Sequence, residues 1–126
     1  MKKKKLLKTT IEEHLENKSK EVIKMFFILK EKIEKFDKVQ DKVADPYIGY
    51  KFIGNKRPKL FVEVHPQKDR IQIHLRPLEY NDLRNKITKV PDNHKWTLNK
   101  IAYIYDEVDI DYLLPFIQQA YNDVCY

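Results

Sequence analysis

Apolar and polar residues alternate through residues 47–76, YIGYKFIGNKRPKLFVEVHPQKDRIQIHLR, in three short runs separated by turn formers. The pattern predicts strands at 47–53, 59–65 and 70–76, with turns through Gly54-Asn55-Lys56 and through residues 66–69, and so two consecutive hairpins. Successive strand residues point to opposite faces. Pairing Leu60, Val62 and Val64 opposite Leu75, Ile73 and Ile71 therefore collects the aliphatic side chains of the second hairpin on one face. The other face then holds Phe61, Glu63, His65, Arg70, Gln72, His74 and Arg76.

Helical periodicity flanks this segment. Thr9 or Thr10 caps a short helix over residues 11–16, and Ser19 caps a longer one whose Val22, Phe26, Leu29, Ile33 and Phe36 recur at four-three spacing. That single apolar stripe, with lysines and glutamates between, belongs against a sheet. The helix is expected to stop near residues 36–38, with residues 37–46 as a connection, because Asp45 precedes Pro46 and is disfavoured in helical geometry. Residues 77–99 read as an elaborated crossover with one helical turn near 82–88, followed by a fourth strand at 100–105. Asp109 reads as the N-cap of a last helix over residues 110–123, with Pro115 expected to kink it, bulge it or delay its start. The fold expected is α+β and two-layer: an antiparallel sheet of about four strands packed on one face by an N-terminal and a C-terminal helix.

Length and composition narrow the class. The 126 residues, 42% hydrophobic, make one globular domain over residues 9–126. Residues 1–8 hold five lysines and read as a flexible basic tail. No run approaches the ~20 apolar residues that cross a bilayer, so no membrane partner is expected. The lone Cys125 excludes an intrachain disulfide and fits a reducing cytoplasm. The net charge of +6 is uneven: residues 1–42 carry 13 Lys against 8 acids, and after Lys100 there is no Lys or Arg at all.

The stretches Tyr47-Ile48-Gly49-Tyr50-Lys51, Phe61-Val62-Glu63-Val64-His65-Pro66-Gln67-Lys68, Ile73-His74-Leu75-Arg76-Pro77, Trp96-Thr97-Leu98-Asn99 and Asp111-Tyr112, with Ile117-Gln118-Gln119-Ala120-Tyr121, resemble the family called domain of unknown function 5655. The resemblance begins near His14-Leu15-Glu16 and spans most of the chain. It implies a compact α+β domain working near nucleic-acid enzymes, since members also occur as C-terminal attachments to restriction-enzyme-like and nuclease-like proteins. It implies no catalytic residues.

The residues themselves support a surface better than a reaction. Tyr47, Lys51, Phe61, His65, Lys68, Arg70, His74 and Arg76 combine cations for phosphates with rings for unpaired bases, and Lys95 with Trp96 forms a second patch. The competing reading is a solvated polar sheet face, with Trp96 capping the core. Two histidines, His65 and His74, without a third placed ligand make a weak zinc signal, so no metal is assigned. A nuclease would need paired carboxylates and an adjoining lysine; Asp45 with Glu63-Val64-His65, and Pro91-Asp92, match poorly. Gly49 and Gly54 are the only glycines, Ser19 the only serine, and no phosphate loop or cofactor motif is present. The expectation is a non-catalytic accessory module that binds or targets nucleic acid in a restriction or defence context. The alternative is a protein-interaction or homodimerisation module.

Overall fold

A computed structural model describes residues 9–91 and 97–125. The domain is α+β, built on one antiparallel sheet with helices at both ends of the chain. Helices α1 (Ile11–Leu15) and α2 (Lys20–Glu34) lead into strands β1 (Val39–Val43), β2 (Ile48–Phe52), β3 (Lys59–Pro66) and β4 (Ile71–Leu75). A crossover carrying β5 (Thr88–Lys89) precedes β6 (Lys100–Ile104) and α3 (Glu107–Val124). The sheet has six strands in the order β1-β2-β3-β4-β6-β5, not the four expected. Among the described residues no helix is long and apolar enough to cross a membrane.

The caps follow from side-chain chemistry. Thr10 forms a capping box with Glu13, whose carboxylate accepts from Thr10 and Thr9 and is thereby held below its usual pKa. Ser19 accepts from the Val22 amide and starts α2, which buries Val22, Met25, Phe26, Leu29 and Ile33. The cap of α3 is Asp106 rather than Asp109. Asp109 instead turns inward, accepts from the Tyr105 amide at 2.9 Å and pairs with Lys86 at 2.6 Å. Pro115 lies on the exposed side of a helix that runs through it without interruption, and the helix begins earlier than expected rather than later.

Two extra strands come from segments that read as connections. Lys38 takes a left-handed conformation, φ 56°, and accepts from the Ile53 amide at 2.8 Å, which turns the chain from α2 directly into β1. β1 then pairs with β2 from Val39↔Phe52 to Val43↔Ile48. Residues 82–85 form a turn, not a helix, before the short β5 joins β6.

The second hairpin is shifted by two residues from the expected pairing: Val62 faces Leu75, Val64 faces Ile73 and Pro66 faces Ile71. A tight turn, closed by the Gln67 amide on the Arg70 carbonyl at 2.8 Å, sets this register. An even shift leaves the faces unchanged. A bulge does change one of them. Tyr50 pairs with Val62 but Lys51 pairs with Leu60, so Phe61 is an extra residue opposite no partner on β2. Phe61 is turned into the core, 0% exposed, against Tyr121 and Phe36 with ring centroids 5.4 Å and 6.3 Å away. Leu60 is left on the outward side. The core that results joins α2 and α3 to Ile48, Tyr50, Phe52, Val62, Val64, Ile71, Ile73, Leu75, Ala102 and Ile104.

Candidate ligand groove on the outward sheet face

The strand positions that do not enter the core form a second, polar face. From β1 to β6 it carries Gln40 and Lys42, Gly49 and Lys51, Leu60, Glu63 and His65, Gln72 and His74, then Ile101 and Tyr103, by alternation from the observed pairings. Within it lies a groove of about 580 Å³ lined by Pro46, Tyr47, Lys59, Leu60, Glu63, His65, His74, Arg76, Thr97 and Leu98. Gly49 helps keep it open. A Cβ there would lie 2.6 Å from Leu60 Cδ1 and 3.0 Å from the Tyr47 ring.

The floor of the groove is a compact polar cluster. Glu63 stands directly opposite His74, and His65 opposite Gln72. Glu63 Oε1 lies 3.1 Å from His65 Nε2 and 3.8 Å from His74 Nδ1. The two imidazoles stack with centroids 4.2 Å apart and 25° between planes. Gln72 supports the cluster from behind: its Oε1 is 3.0 Å from His74 Nε2, and its amide nitrogen donates to the Tyr103 hydroxyl at 3.0 Å. Burial, then the adjacent His65, bring the His74 pKa down to about 4, against Glu63 and a backbone hydrogen bond at Leu98, which act to raise it. His74 is thus neutral at physiological pH.

Beside the cluster, Arg70 lies over the Tyr103 ring, its guanidinium carbon 3.8 Å from the centroid. It donates to Gln67 Oε1 at 2.6 Å and to the Tyr105 hydroxyl at 3.0 Å. These contacts fix the planar cation on the sheet surface.

The structure therefore brings together Tyr47, His65, Arg70 and His74 and sets Lys51 on the same face. Tyr47 packs beside His65, with centroids 5.9 Å apart. Two expectations change, those for Phe61 and Arg76. Phe61 is in the core and presents no ring to a ligand. Arg76 reaches the groove wall but its Nε donates to Asp123 of α3 at 2.6 Å, so it already neutralises a carboxylate. Lys68 sits exposed in the β3–β4 turn, where its carbonyl accepts from the Ser19 amide at 2.9 Å. Lys95 and Trp96, and the basic tail of residues 1–8, lie outside the described residues.

Sequence reading missed Glu63 as a partner of both histidines, because the expected pairing placed it opposite Gln72. It also missed Tyr103 of β6 and Tyr105 just beyond its end, whose alternation in the sequence was the available signal. Leu60 enters the groove because of the bulge, and Leu98 because of the crossover.

The chain belongs to the family described as a domain of unknown function (DUF5655), whose model matches residues 11–124, nearly the whole length. No curated protein and no solved structure matches it.

Proposed function

We propose that this chain is a non-catalytic binding module that takes a single-stranded nucleic acid across the helix-free face of a two-layer domain, serving to target an associated nucleic-acid enzyme. The observation that carries the reading is Arg70 held over the ring of Tyr103. That pair offers a cation for a phosphate and, with Tyr105 and Tyr47 on the same side, aromatic surface for bases. Lys42 and Lys51 extend the positive surface toward β1, and Lys59 lies at the groove wall. Among the described residues, Glu63 is the one carboxylate at the outward strand positions, and it is already bonded to His65. A path between rings, bordered by lysines, suits a flexible strand better than a rigid duplex.

The test is a salt titration of binding to fluorescent single-stranded and double-stranded DNA and RNA. It is run on the full chain, on a version starting at Thr9, and on Arg70→Ala and Tyr103→Ala variants. Support would be tail-independent binding that falls steeply with salt and weakens on both substitutions. An Arg to Ala change at a phosphate contact also flattens the salt slope by about one. Binding that vanished with the tail and ignored Arg70 would assign the whole effect to residues 1–8. No binding at low salt would turn attention to a protein partner.

A further inference from the structure

We propose that Glu63, His65 and His74 form a binding site for one divalent ion of the zinc class at the floor of the groove. The inference goes beyond the nucleic-acid reading and does not depend on it. Two imidazoles and one carboxylate are a donor set that zinc accepts, whereas magnesium and calcium favour all-oxygen shells. One ligand atom from each residue lies within 4.8 Å of the others. Tetrahedral zinc, with bonds of roughly 2.0–2.2 Å, holds its ligand atoms about 3.4 Å apart. The measured separations of 3.1 Å from Glu63 to His65 and 3.8 Å from Glu63 to His74 straddle that spacing.

The surrounding chemistry is that of a supported ligand set. All three residues project from adjacent positions of a central strand pair, β3 and β4, so backbone hydrogen bonds hold their spacing. Gln72 engages Nε2 of His74, with its own amide oriented by Tyr103, so that Nδ1 is the nitrogen turned toward Glu63. A metal-bound histidine characteristically has its second ring nitrogen held in this way. The side of the cluster away from the core opens on the groove between Tyr47, Leu60 and Leu98. A fourth coordination position would therefore face solvent or a ligand oxygen such as that of a phosphate.

The ion alone decides the matter. The full chain, stripped with a chelator, is titrated with Co²⁺ while the visible absorption is followed, and bound Co²⁺ is then displaced with Zn²⁺. The expected result is one ion per chain, with the intense visible bands of low-coordinate cobalt. His65→Ala, His74→Ala and Glu63→Gln should each weaken binding by more than tenfold, and Gln72→Leu by roughly tenfold through loss of support. Cys125→Ser should leave it unchanged. Glu63→Gln preserves volume and keeps the test valid if an alanine at buried His74 unfolds the chain. Absence of saturable binding at millimolar Co²⁺, or binding that survives both Glu63→Gln and His65→Ala, would overturn the proposal. Neither result bears on nucleic-acid affinity measured in chelator.

Discussion

His65 and His74 stack face to face with ring centroids 4.2 Å apart, one half-buried and the other only 5% exposed, on neighbouring strands of the sheet. The pairing makes a second positive charge costly at this spot. In the folded chain His74 titrates near 4, below its ordinary value of 6.5, so the unfolded state takes up a proton first as pH falls.

A stability consequence follows for metal-free protein. The contribution of neutral His74 is complete above pH 6.5, is lost as pH falls from 6.5 toward 4, and flattens below, where both states are protonated. Urea unfolding in chelator across this range should show the midpoint falling, and His74→Gln should fall less over the same interval. Equal pH dependence in the two proteins would place the titrating group elsewhere.

The bulge at Phe61 makes opposite demands on neighbouring residues. Phe61→Ala empties a site in full contact with Tyr121 and Phe36 and should cost about 3–5 kcal/mol in denaturant unfolding. Leu60→Ala removes a half-buried side chain from the groove wall and should cost about 1 kcal/mol. The simple alternation of the sequence demands the reverse order, so the pair of midpoints discriminates the two registers.

Tyr50 is fully buried, and among the described residues its hydroxyl has no hydrogen-bond partner. Burial, with Glu34 and Asp41 adding to it, pushes the phenol well above its usual pKa. Tyr50→Phe removes an unsatisfied polar atom while keeping the ring, and should raise stability by about 1 kcal/mol. A clear loss of stability would mean that the hydroxyl has a partner such as an internal water.

Much of the architecture was legible in the order of residues. The four-three stripe from Val22 to Ile33, the Ser19 cap and the alternation through β2, β3 and β4 are local signals, read without knowing the fold. The family assignment is legible for the same reason, since its motifs lie largely along those strands and the last helix. Where reading stopped, the competing term was nonlocal. β1 holds valines at 39 and 43 around polar residues, but its turn has Lys38 in a left-handed conformation where glycine would have been the signal. Asp106 and Asp109 are equally good caps in isolation. Packing decided between them by giving Asp109 the Tyr105 amide and Lys86.

The sequence by itself determined the alternation that separates a polar sheet face from an apolar one, because side-chain direction in a strand follows from backbone geometry alone. Only the tertiary structure decided what meets on that face. A turn closed between Gln67 and Arg70 set Glu63 against His74, and the ring of Tyr121 gave Phe61 a place in the core. The first depends on how the backbone closes the turn, and the second on surfaces brought together from distant parts of the chain. The groove, its carboxylate and its two histidines are therefore products of register and packing, which no local pattern of residue types can specify.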